Sequence, residues 1–160
     1  MNSISYEADE KQEETVSVFL MMMLEYAQES GLWQMVSQKV DVNMKEVIYS
    51  RLNKAQTVIA SLIVGCAHTK AMNEQLGEEV AAANYLGMLR FPEQSQINRY
   101  LTRFSADNVA ELGQVHADLF MKQSRARQAR GQIVVDIDQC GLVANGKSYE
   151  FARKGQWIAN

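Results

Sequence analysis

Along the first 130 or so positions, apolar residues recur at helical rather than strand spacing. Val16, Phe19, Leu20, Met23, Leu24 and Ala27 share one helix face, with Thr15 placed to cap its start and Gly31 to end it. Leu32 to Lys39 suits a second, short helix. From Lys45 onward Ile48, Leu52, Ala55, Ile59, Leu62 and Cys66 follow at alternating steps of four and three, and Val47, Val58 and Ile63 widen the stripe. This pattern predicts a central helix with Ile48, Leu52, Ile59 and Leu62 in the core.

Met72 to Leu76 and Val80 to Leu86 read as short helical pieces separated by Gly77 and ended by Gly87. The single proline, Pro92, closes a loop. Ser95 or Glu93 can cap a short helix bearing Ile97, Tyr100, Leu101 and Phe104. Ser105 or Asp107 starts another, with Val109, Leu112, Val115 or His116, Leu119 and Phe120 on one side; it is expected to run to Arg130, where Gly131 stops it.

At residue 132 the pattern changes. Gln132-Ile-Val-Val-Asp-Ile-Asp138 is β-branched and short, and Leu142-Val-Ala leads into Asn145-Gly146, a pair suited to a two-residue hairpin turn. A β-hairpin is expected to join Ile133–Ala144 with Lys147–Ala152, with a bulge or bend at Gly141. An isolated hairpin is marginal in water, and nothing later in the sequence covers Ile133, Val135 and Ile137. The expected fold is therefore mainly α: a helical region, 1–131, followed by residues 132–160, the hairpin that would open an α/β domain.

A composition of 47% hydrophobic and 22% charged residues is that of a chain able to bury a core rather than of a disordered one. Two cysteines, Cys66 and Cys140, make no disulfide framework and suit a reducing compartment. The N-terminus is acidic, unlike a secretory signal, and the most apolar run, Val16 to Leu24, is about half a membrane span. A soluble, cytoplasmic protein without a membrane partner is expected.

Charge is divided unevenly. Residues 1–89 carry six Lys/Arg against twelve Asp/Glu, whereas residues 90–160 carry ten against seven. Arg90, Arg99, Arg103, Lys122, Arg125, Arg127 and Arg130 supply most of the positive charge. Such a segment suits either a polyanion site, where each neutralised phosphate releases counterions, or solvated helix faces. Between Leu86 and Phe104, a turn with proline leads into a capped helix that would expose Gln96, Asn98, Arg99 and Arg103, the make-up of a helix touching DNA. It equally fits a helix packed through Ile97, Leu101 and Phe104.

Strand alternation puts Asp136 and Asp138 on one face, roughly 7 Å apart. Hard cations such as Mg²⁺ or Mn²⁺ take oxygen ligands, so these carboxylates are candidate metal ligands; an exposed strand face would carry them as well. Cys66, His68, His116 and Cys140 fit no compact zinc spacing. Cys66 is expected in the core and His116 as a partly buried structural residue. The Met21-Met22-Met23 triplet suits adaptable packing. No phosphate-binding glycine loop or nucleophile elbow is present.

The order of these features resembles the DDE-type transposases of bacterial insertion sequences. The family's helical N-terminal segment is similar to Leu86-Gly87, Pro92, Ser95, Arg99 and Leu101 here, and its first catalytic strand to Val134-Val-Asp-Ile-Asp-Gln-Cys-Gly-Leu142 and the Asn-Gly-Lys turn that follows. Where the family is rich in threonine this chain has Gln139-Cys140. The resemblance implies an RNase H-like catalytic core opening at residue 132, metal-dependent cleavage and transfer of DNA strands, and Asp138, with Asp136 in reserve, as the catalytic, metal-holding carboxylate. It implies DNA as the partner, with Arg99, Arg103, Arg125, Arg127 and Arg130 as candidate phosphate contacts. The family's remaining two carboxylates lie further downstream than Asn160, so a truncated relative, inactive alone and working as a homo-oligomer or with a missing catalytic portion, is expected. A helical DNA-binding regulator or protein-interaction module without catalysis is the other reading.

Overall fold

The computed structural model describes residues 17–45 and 48–125, and every regular element among them is a helix. α1 (Val18–Ser30) starts on Ser17, whose hydroxyl accepts the Leu20 N–H at 3.1 Å. It ends at Gly31, whose φ of 83° is the left-handed conformation that lets α2 (Leu32–Lys39) follow at once. The expected cap, Thr15, lies outside the described residues.

α3 (Arg51–Ile63) differs from its expected extent at both ends. It begins at Ser50, which shares a reciprocal capping box with Asn53: the Asn53 N–H reaches the Ser50 hydroxyl, and the Ser50 N–H reaches the Asn53 side-chain oxygen, each at 3.0 Å. Ile48 therefore precedes the helix and is 78% exposed. Beyond Ile63 the backbone leaves helical geometry through Val64 and Gly65, so Cys66 sits off the helix, half-buried, its thiol facing the Gln75 side-chain oxygen at 3.2 Å. Partial burial pushes the thiol pKa up.

The four remaining helices are shorter pieces and one long one. α4 (Ala71–Gln75) is entered through His68, whose Nδ1 accepts the Ala71 N–H at 3.1 Å. α5 (Val80–Tyr85) is followed by the left-handed Gly87. α6 (Gln94–Leu101) has its first N–H held by the Asn73 side chain of α4 at 2.8 Å. α7 (Ala106–Gln123) starts on a Ser105–Asn108 capping box and stops at Ser124, whose backbone is extended, short of the expected Arg130.

Two hydrophobic clusters form the interior. The larger gathers Leu20, Leu24, Trp33, Met72, Leu76, Phe91 and Ile97, while the smaller gathers Val36, Val40, Val42, Ala55, Tyr100 and Val115. α3 runs between them and packs against α1, α2 and α6; Leu52 and Val58, both half-buried, touch both clusters. The helix is central, as its pattern predicts, and Leu52, Ala55 and Ile59 of the predicted face pack against the clusters, but the most deeply buried strip is shifted towards smaller and polar residues. Lys54, Ala55, Gln56, Thr57, Ala60 and Ser61 are the buried residues, Ile59 is only half-buried and Leu62 is 68% exposed. With neighbours on several sides, the close approaches fall where side chains are small, and the larger apolar residues are left to the flanks and ends.

The buried hydroxyls on that face turn back on their own helix. Thr57 donates to the Asn53 carbonyl at 2.7 Å and Ser61 to the Val58 carbonyl at 2.6 Å, which removes most of the cost of burying them. Lys54 donates to the Tyr49 carbonyl at 2.8 Å.

α7 is likewise turned away from its predicted side. Val109, Leu112 and Phe120 are exposed, as is His116, while Asn108 and Val115 are buried. All described residues fall in the first of two units of the chain, Met1–Arg127. The expected hairpin of residues 132–160 lies outside the described residues, and among the described residues no helix is long and apolar enough to cross a membrane.

Replacing the fully buried Ile97 by alanine is expected to cost about 2–5 kcal/mol in a denaturant titration. Ile48→Ala and Leu62→Ala, despite their place in the apolar stripe, are expected to stay within about 0.5 kcal/mol. Equal losses at the three positions would return the predicted face to the core.

Candidate nucleic-acid interface

Between α2 and the loop before α3 the chain runs extended from Val40 to Lys45 without joining a sheet. Its side chains alternate: Val40 and Val42 are buried, Met44 is half-buried against the smaller cluster, and Asp41, Asn43 and Lys45 face outward. The two backbone groups of Asp41 are taken by α7 rather than by a neighbouring strand. The Asn108 side-chain amide donates to the Asp41 carbonyl at 3.1 Å, and the Asp41 N–H donates to a Glu111 carboxylate oxygen at 3.2 Å.

Asn108 does this with no capacity left over. Its oxygen accepts from the N–H and the hydroxyl of Ser105, both at 3.1 Å, and its amide protons go to Asp41 and, at 2.8 Å, to Glu111. One buried side chain thus starts α7 and pins the extended segment.

The C-terminal end of α6 approaches this segment from the other side. Ile97 and Tyr100 are buried, which puts Arg99 outward; Arg103, four residues on, is outward as well. A cavity of about 480 Å³ opens there, lined by Asn43, Met44, Lys45, Arg99, Thr102 and Arg103. Its charged residues are all cationic. Among the described residues none of the three has an ion-pair partner, whereas Lys39, Arg51 and Arg90 do. The two arginines sit at a helix C-terminus, whose partial negative charge stabilises them without a carboxylate.

A second cavity, about 540 Å³, lies along the same segment, between the end of α2, the first turn of α3 and Tyr100 of α6. Arg51 and Asp41 form an ion pair at its edge. Burial pushes the Tyr100 phenol up to about 12, against a smaller opposing effect of the Arg51 charge.

The sequence singled out Arg99 and Arg103, and the fold brings them together; it adds Lys45, which sequence reasoning missed because its neighbours in space are more than fifty positions away. Arg125 is exposed but sits past the far end of α7, about 27 Å of helix from the end near Arg103. Arg127 and Arg130, and the candidate metal ligands Asp136 and Asp138, lie outside the described residues. Among the described residues no group of three His, Cys, Asp or Glu side chains is placed to hold a metal ion. No protein-family model, curated protein or solved structure matches this chain.

α7 is held to the α1–α2 corner by polar contacts. Lys39 pairs with Asp118, and Lys122 donates to the Ser30 carbonyl at 2.8 Å. The Lys39 ammonium and the Gln114 amide hold the Asp118 carboxyl below the usual carboxylate range. A carboxylate with a depressed folded-state pKa contributes stability that is present above its unfolded value and lost as pH falls through the folded one.

Two outcomes follow from these contacts. Stability should fall on acidification below the ordinary aspartate range, and Asp118→Asn should flatten that part of the pH profile measured by thermal unfolding; an unchanged profile would assign the acid sensitivity elsewhere. Asn108→Ala, which removes a cap and leaves the Asp41 carbonyl without its donor, is expected to cost about 2–4 kcal/mol in denaturant. A loss under about 0.5 kcal/mol would show that water replaces the amide at no penalty.

Proposed function

We propose that the helical region binds DNA through the cationic cavity formed by Lys45, Arg99 and Arg103, and that the chain is a DDE-type transposase relative whose RNase H-like core opens at residue 132. The observation that carries the DNA-binding part is the cavity itself: three cations, none paired with a carboxylate among the described residues, on a rim with the hydroxyl of Thr102 and the amide of Asn43. Neutralised cations gain little from a phosphate, whereas unpaired ones gain the full counterion-release term. The transposase part rests on the resemblance in sequence. On that reading Asp138, with Asp136, would hold Mg²⁺ or Mn²⁺ in the catalytic core, where divalent ions activate the attacking oxygen and stabilise the leaving one.

The cavity predicts affinity that is sequence-tolerant and falls with salt, since it offers phosphate contacts and no element shaped to enter a groove. Replacing Lys45, Arg99 and Arg103 together by alanine should lower the slope of log affinity against log salt by up to about three, one for each phosphate no longer neutralised. Fluorescence anisotropy with a labelled duplex at several salt concentrations reads the slope. Replacing Arg125, Arg127 and Arg130 instead tests the alternative basic segment; a slope that drops only in that variant would move the interface off α6.

A further inference from the structure

The cavity beside the cationic one has a different chemistry. Tyr100 is 2% exposed and lines it, with its ring set edge-on to Phe104 at 5.1 Å, yet among the described residues its hydroxyl has no hydrogen-bond partner. The one buried side-chain polar atom without a partner among the described residues is Trp33 Nε1, so the Tyr100 hydroxyl is not sealed off and can meet water or a ligand in the opening. Arg51, Asp41, Gln38 and Ser37 supply both donors and acceptors around the opening, while Val36 and Leu52 add apolar wall. At about 540 Å³ the space is of the size that holds a small planar molecule.

That combination matches a nucleobase, which has apolar faces and an edge carrying donors and acceptors together. The placement matches as well. Tyr100 follows Arg99 in α6, and Asp41 shares the extended segment with Lys45, so the two openings are bordered by the same pair of elements. Resting on the DNA-binding reading above, we propose that the Tyr100 cavity receives one unpaired base of the bound strand. A base within a duplex has to be unpaired and unstacked before it can enter, whereas one in a single-stranded tail or mismatch is already free. The protein then discriminates unpaired from paired DNA without reading sequence.

The full chain is titrated with a labelled blunt duplex and with the same duplex bearing a single-stranded tail that contains 2-aminopurine. The tailed probe is expected to bind about tenfold or more tighter, with a change in 2-aminopurine fluorescence. Tyr100→Phe keeps the ring and its packing and should shrink the preference by about three- to tenfold. Ser37→Leu, at an exposed position on α2, fills the opening without touching the core and should abolish both the preference and the fluorescence change. Neither variant should alter the duplex affinity or the salt slope. Equal affinity for the two probes, with the salt slope intact, overturns the base cavity and leaves the cationic interface standing. Absence of salt-dependent binding to either probe overturns both.

Discussion

The architecture depends on a single helix being shared by two cores. α3 has the larger hydrophobic cluster on one side and the smaller on the other, and a helix so enclosed cannot present the single wide stripe that a surface helix does. Its tight contacts are made by Ala55, Thr57, Ala60 and Ser61, whose size lets neighbouring helices come close, and the hydroxyls among them are satisfied within the helix. Both candidate cavities are positioned from there. α6 rests on the enclosed helix, the extended segment 40–45 packs its valines into the smaller cluster, and both cavities lie where these two elements meet.

Helices and their ends are largely legible in the sequence because they are governed by local chemistry. Gly31, Gly87 and Ser105 act where a left-handed turn or a side-chain cap is needed, and the breaks around Pro92 follow from its fixed backbone. The faces are less legible. Apolar periodicity says that a helix is amphipathic but not which neighbour it meets. α7 docks through Asn108, Glu111, Val115, Asp118 and Lys122, a largely polar stripe at steps of three and four, and so leaves Val109, Leu112 and Phe120 outside. α3 departs from its pattern for a related reason: Ile48 continues the stripe in number but lies beyond the Ser50 cap, which ends the helix whatever the periodicity suggests.

The candidate interface divides in the same way. Arg99 and Arg103 belong to one helix end and can be paired from spacing alone. Lys45 joins them only because Val40 and Val42 anchor an extended segment whose period-two alternation, Val-Asp-Val-Asn-Met-Lys, is a strand signal with no strand to pair. The alternation is readable in the sequence; its destination beside α6 is not, since the contacts that fix it come from Asn108 and Glu111, some seventy residues away.

Those contacts also determine how the cleft responds to its surroundings. The ion pair between Lys39 and Asp118 is more than one-third exposed on both sides, so salt and acid weaken it readily. The hydrogen bond from Asn108 to Asp41 is neutral on both sides and comes from a residue 5% exposed, which salt screens little. The segment bearing Lys45 is therefore held to α7 by its least salt-sensitive contact, while the rest of the α7 seam is free to loosen. On the proposed DNA-binding reading, added salt should then release a phosphate backbone from the cleft well before the cleft changes shape, so the salt dependence of binding and that of folding would belong to different residues of the same seam.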